Sequence, residues 1–166
     1  MSDMGTIIGA SVAGHRTGER SCRRIAVVFE PGASGGAALR QAAALGAMPG
    51  RELTVVGIAP QATGPDRCGP SPDAYNCAVR DEVAQELREA TALLGRVAED
   101  ITVRLLVEGS DPPLENWVAQ GGFDIVLLPA RRRFLRSLGH PAVRRLQRLT
   151  DAEVRVVDVR GRERNL

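Results

Sequence analysis

Residues 124–148 read DIVLLPARRRFLRSLGHPAVRRLQR, and the order of elements in this stretch decides the fold. Ile125-Val126-Leu127-Leu128 is an apolar run of strand length, as expected for a strand buried on both faces of a parallel sheet. An arginine-rich loop follows. Gly139-His140-Pro141 then marks a helix start, placed over residues 141–149, because Pro is tolerated in a first helical turn. Strand, loop and helix N-terminus in that order form a candidate anion site, since the first N–H groups of a helix lack intrahelical partners.

The chain on either side repeats this alternation. Upstream, Arg24–Glu30 (RIAVVFE) is a β-branched run that stops at Pro31-Gly32, and Ser34 reads as the N-cap of an alanine-rich helix ended by Pro49-Gly50. Leu53–Ile58 is a second strand. Gln61 to about Tyr75, rich in Gly and Pro, reads as loop. Val79, Val83, Leu87, Ala90, Leu94 and Val97 then recur at steps of three and four, one stripe of a long helix. Ile101–Val107 is a third strand. Asp111-Pro112-Pro113 reads as an acidic cap with Pro in the first turn, Leu114, Trp117 and Val118 as the buried face, and Gly121-Gly122 as the stop. Downstream, Val143 and Leu146 face inward on the last helix, and Glu153–Val159 closes the chain as a strand.

The sequence βαβαβαβαβ predicts a doubly wound, five-stranded parallel sheet with helices on both faces. Ligands bind such sheets beyond the carboxyl ends of the strands, where strand order reverses.

The 166 residues suit one domain, expected over residues 23–160 after a disordered leader (1–22) and before a C-terminal tail (161–166). Hydrophobic residues make up 43% but aromatics only 3%, so Val, Leu, Ile and Ala must build the core. The net charge of +2 points to no partner, but all 22 basic residues are Arg. Arg131, Arg132, Arg133, Arg136, Arg144, Arg145 and Arg148 cluster without an acid among them. Cys22, Cys68 and Cys77 have no metal-type spacing, and Cys68 with Cys77 could pair only in an oxidising compartment. No signal-peptide pattern or membrane span is visible. The expectation is a cytoplasmic protein that binds neither membrane nor nucleic acid, since base-stacking aromatics are scarce.

RIAVVFEPGAS, EGSDPPLENWV, FDIVLLPARR and LGHPAVRRLQRLTDAEVRVV, in that order and spacing, resemble the universal stress protein family over about residues 23–159. The resemblance implies that family's α/β fold, of adenine-nucleotide alpha-hydrolase type, and a homodimer through the last strand, here Val154–Val159. Some members of the family hold ATP and others hold no nucleotide. Their ATP motif resembles Gly-x2-Gly-x9-Gly-(Ser/Thr). Here Ala130, after Pro129, and Arg133 stand at the first two glycine positions; Gly139 fits the third at shorter spacing, with His140-Pro141 behind it. Glu30, after Phe29, replaces the Asp that contacts ribose, and Ile58 falls where the second strand meets adenine.

These departures have physical weight. Ala130 and Arg133 add a Cβ where glycine lets the backbone approach an anion, Pro141 lacks an N–H, and Glu30 is one methylene longer than Asp. The expectation is a non-catalytic stress-response or regulatory module with a degenerate nucleotide site and no cofactor. One alternative is an ATP- or AMP-binding protein, at most a weak ATPase, in which arginines grip the phosphates. Another is an adaptor docking an acidic protein on the Arg131–Arg148 face. The plain alternative is a solvated basic face, paired with acids between residues 81 and 115. His140 could meet a phosphate or simply face solvent at a helix start, and Asp124 has no visible catalytic partner. No catalytic constellation or metal-ligand spacing is present. If the closing strand forms the sheet edge, an antiparallel copy from a second subunit would satisfy it.

Overall fold

The computed structural model describes residues 23–62, 71–94, 101–130 and 139–165. In chain order the elements are β1 (Arg23–Phe29), α1 (Ala33–Gly46), β2 (Arg51–Ala59), α2 (Pro72–Leu94) and β3 (Ile101–Val107). Then come α3 (Leu114–Gly121), β4 (Ile125–Pro129), α4 (Gly139–Leu149), β5 (Glu153–Val157) and β6 (Glu163–Asn165). They build one sheet of order β3-β2-β1-β4-β5-β6, in which the first five strands run parallel and β6 runs antiparallel to β5. The doubly wound five-stranded parallel core is therefore as the alternation predicts, with one strand added.

β1 and β4 lie side by side at the centre, in register Ile25↔Ile125, Ala26↔Val126 and Val27↔Leu127. Every residue of β4 is buried, as a strand sandwiched between helix layers demands. On one face Ile25, Val27, Leu53, Val55 and Leu127 pack under Ala38, Leu39 and Ala42 of α1 and Leu87 and Leu94 of α2. On the other, Ala26, Val28, Val126, Leu128, Val154 and Val156 pack under Leu114 and Val118 of α3 and Val143 and Leu146 of α4. Each fully buried Leu, Ile or Val contributes about 1.5–3 kcal/mol. The two clusters hold the crossovers that bring β1 and β4 together.

Several local readings need correction. Gly32, at φ 110°, precedes α1, and no side chain caps that helix; Ser34 is already inside its first turn, buried. α2 begins at Pro72, inside the stretch expected as loop, where the Ser71 hydroxyl accepts from the Ala74 N–H at 3.3 Å. Asp111 does not cap α3, whose N-cap is Pro113. Its carboxylate instead accepts from the Val107 N–H at 2.7 Å and closes the β3–α3 turn. Pro141 follows two residues of α4 rather than opening it. Gly122, at φ 60°, does stop α3 as expected. Val159 lies beyond β5, and the premise that β5 is the open edge fails, because β6 covers it.

Residues 1–22, Cys68, Val97 and Arg131–Arg133 with Arg136 lie outside the described residues. Cys77 is an exposed free thiol. Among the described residues no helix is long and apolar enough to cross a membrane.

Candidate functional site

Strand order reverses between β1 and β4, so the crevice at their carboxyl ends is where this topology places a ligand. Phe29 and Glu30 come to it from β1, and Pro129 and Ala130 from β4. Gly35 lets the first turn of α1 settle onto the Glu30 carbonyl, with room for no Cβ. Glu30 is half-buried there.

The side chains expected at the site do not all face one space. Phe29 packs against the α1–α2 cluster, whereas Ile58 and Ala130 pack against the α3–α4 cluster on the opposite face. Pro129 is buried. The Ala130 N–H donates to the Val157 carbonyl at 2.8 Å, so this backbone donor is committed to the sheet. Gly139 and His140 form the start of α4, and Arg133 lies outside the described residues.

An open cavity of about 460 Å³ lies beside this crevice, over the carboxyl ends of β2 and β3. Ile58, Leu106, Pro112, Pro113 and Leu114 give it an apolar lining, and Glu108, Asp111 and Glu115 add carboxylates. Of the ligand-site residues expected from sequence, Ile58 alone among the described residues lines it; Asp111, Pro112, Pro113 and Leu114, read as cap and helix start, line it too. Its frame is the β3–α3 turn. The Glu108 N–H donates to the Ala59 carbonyl at 3.0 Å, and Gly109, at φ 79°, turns the chain beside Gln61. Ser110 and Asp111 each donate an N–H to the Val107 carbonyl. Glu108 and Glu115 belong to the acidic segment expected from sequence, but not to its expected site, because EGSDPPLE reads as turn and cap; Glu108 four residues before Pro112 and Glu115 two after Pro113 are the signal that flanks the cavity.

Among the described residues the charge of the cavity is only partly balanced. Arg145 approaches Glu115 at 3.4 Å, with the Glu115 side chain 12% exposed, and Arg104 lies 3.9 Å from Asp111. The Arg145–Glu115 pair is the anticipated link between the basic helix and the acidic segment. Arg144 and Arg148 also stand on the exposed face of α4. Asp124 serves the other end of the sheet, where its carboxylate accepts from the Arg24 N–H at 2.7 Å and the Arg24 guanidinium donates to the Gly121 carbonyl. Trp117 is half-buried and stacks on Phe123 at 5.0 Å, away from the cavity. Among the described residues no group of His, Cys, Asp and Glu is arranged to hold a metal.

No family model and no curated protein matches the sequence. Solved structures do match the fold. A universal stress protein family member from Burkholderia pseudomallei superposes with TM-score 0.62 at 21% identity, covering 82% of this chain and 96% of that one. UspA from Lactobacillus plantarum gives TM-score 0.60 at 14% identity, covering 82% and 97%. A universal stress protein in complex with cAMP gives TM-score 0.52 at 17% identity, covering 84% and 98%. The chain thus has the α/β fold of universal stress proteins, over nearly their whole length.

Proposed function

We propose that this chain is a non-catalytic stress-response or regulatory module of universal stress protein type, whose crevice no longer takes a nucleoside triphosphate in that family's usual mode. The observation that carries this reading is the carboxylate lining of the cavity beside the crevice: Glu108, Asp111 and Glu115 border an apolar floor. A phosphate charge about 6 Å from one carboxylate is repelled by roughly 0.7 kcal/mol even in water, and by more where protein excludes solvent. Ala130 adds to this, since its N–H already serves Val157. Isothermal titration with ATP, together with chromatography of nucleotide released from the purified chain, tests the reading. It predicts no heat at micromolar ATP and no co-purifying nucleotide; micromolar binding overturns it.

The second reading is an adenine nucleotide held by a different grip. The cavity's volume, about 460 Å³, falls in the range of small-molecule sites, and Ile58 lines it where the resemblance puts adenine. A neighbour of the same fold was solved with cAMP. Titration with AMP and cAMP alongside ATP separates the readings, because the single charge of cAMP and the roughly double charge of AMP meet less repulsion than a triphosphate.

A further inference from the structure

We propose that the cavity over β2 and β3 is a site for a small organic monocation, a protonated amine with an apolar body. The inference rests on the reading above, because the ligand it names is opposite in charge to the nucleotides that reading excludes.

The cavity has two chemically distinct parts. Its floor is hydrocarbon, from Ile58 on β2, Leu106 on β3, Leu114 on α3 and the two prolines ahead of Leu114. Leu106 and Leu114 are buried in the core, so the floor is anchored and cannot fold over the space above it. The open volume, about 460 Å³, suits a small molecule, and sites of that kind combine an apolar lining with a few placed polar groups. Here every polar side chain in the lining is a carboxylate. An ionised carboxylate only accepts hydrogen bonds, so the ligand must donate.

Two of the three carboxylates already serve the fold. Asp111 accepts from the Val107 N–H at 2.7 Å and lies 3.9 Å from Arg104. Glu115 stands in the first turn of α3, where the helix dipole favours an acid, and meets Arg145 at 3.4 Å. Glu108 differs. Its N–H is tied to the Ala59 carbonyl, but its exposed carboxylate has neither ion pair nor hydrogen bond among the described residues. Three carboxylates against two guanidiniums leave one negative charge there, and it sits on Glu108. That balance selects one positive charge on the ligand, since a second would find only carboxylates that Arg104 and Arg145 already approach.

Binding follows from the two parts together. The apolar body displaces water from the floor, and the ammonium donates charge-assisted hydrogen bonds to Glu108. A bare metal ion uses neither part well. Among the described residues the acids are not grouped to hold one, and an ion would leave the floor wet.

Three probes share an indole ring and differ only in the end group: tryptamine carries an ammonium, tryptophol a hydroxyl and indole-3-acetate a carboxylate. Each is titrated into the isotope-labelled full chain at neutral pH and low salt, and the amide chemical shifts are followed. Tryptamine should shift the amides of Ile58, of residues 106–111 and of Leu114 and Glu115. It should bind roughly twofold to fivefold tighter than tryptophol, as one exposed charge pair allows, with indole-3-acetate the weakest. Glu108→Gln should cost tryptamine that same factor and leave tryptophol unchanged. No shift at these amides in about 10 mM tryptamine overturns the proposal, since the best small ligands of this size bind more tightly than that. Equal affinity for the three probes, or a Glu108→Gln chain that binds tryptamine as the wild type does, also overturns it. ATP titrated into the same sample tells this failure from that of the reading it rests on. Silence with both tryptamine and ATP sinks the cation site alone, whereas micromolar ATP shifting the same amides sinks both.

Discussion

A Cβ built on Gly35 would sit 1.6 Å from the Glu30 carbonyl oxygen and 2.8 Å from its carbon. The obstacle is backbone, so it cannot swing aside as a side chain would. Gly35 is therefore required by close approach, at the point where β1 hands the chain to α1 beside the crevice. Gly35→Ala should destabilise the protein by about 3 kcal/mol, the upper end for forced overpacking. Gly36 is the internal control. The nearest atom to its Cβ is the Arg40 guanidinium at 3.5 Å, an ordinary contact. Gly36→Ala should stabilise α1 by roughly 0.5–1 kcal/mol through helix propensity. Urea unfolding of both variants reads the opposite signs.

Asp111 makes a second, separable contribution. Its carboxylate receives the Val107 N–H at 2.7 Å and its own N–H returns to the Val107 carbonyl at 2.9 Å, which pins the turn that frames the cavity. Asp111→Ala leaves the Val107 donor without that acceptor. A hydrogen bond to a charged group is worth about 1.5–3 kcal/mol. With the Asp111 side chain 27% exposed, water replaces part of the loss, and the expected cost is about 1–2 kcal/mol. Because the affected amides lie in β3 and the turn, hydrogen exchange should show faster exchange at 107–111 before any change in β1 or β4.

The β5–β6 hairpin should loosen in acid. The Glu153 carboxyl is held below its usual range chiefly by the hydrogen bond from Arg155, which outweighs the opposing effect of burial, and the charges of Arg155 and Arg23 add to the lowering. Asp158 is lowered chiefly by the Arg162 N–H, with the Arg160 N–H and the Arg162 guanidinium adding to it against burial. Arg155 is shifted upward, first by the hydrogen bond to Glu153, and stays charged throughout. For a carboxyl whose folded value is depressed, the stabilisation is fully present above the unfolded value, near 4. It is lost as pH falls through the lower folded value. Amide protection in residues 153–165 should therefore be flat from about pH 7 to 5 and decline below about pH 4. An unchanged profile down to pH 3 would show that these contacts do not hold the hairpin.

What was legible in the sequence follows from what each signal rests on. The apolar runs of β1, β2 and β4 read correctly because strands buried on both faces need no partner residue to declare themselves. Gly122 read correctly because a left-handed stop is a local demand. Asp111 misled because an acid before Pro-Pro fits either a cap or a turn, and only the position of Val107 decides between them. The start of α2 was missed because Gly and Pro around Ser71-Pro72 outweighed a cap signal of Ser followed by Pro and Asp. β6 was invisible, since Glu163-Arg164-Asn165 has no apolar period and is a strand only because β5 lies beside it. At the crevice, sequence identified the strand ends but not the faces, so Phe29 was grouped with Ile58 although the sheet separates them.

Glu108 offers the sharpest test of how the cavity's charge governs its ligands. It lies at the exposed end of β3, its backbone fixed by the bond to Ala59, so a substitution there should leave the fold intact. Glu108→Arg changes the local charge by two units beside Asp111 and Glu115. At a solvent-exposed position each unit is worth about 0.2–1 kcal/mol to a nearby anion, so affinity for ATP or cAMP should rise by roughly twofold to thirtyfold at low salt. Raising the ionic strength to about 0.5 M should erase most of that gain, because the Debye length then falls below the spacing of the charges. Glu108→Gln should give about half the effect in free energy. A titration in which neither variant differs from wild type at low salt would mean that the carboxylates do not set the selectivity of this cavity. The exclusion of triphosphate would then rest on the shape around Ala130 instead.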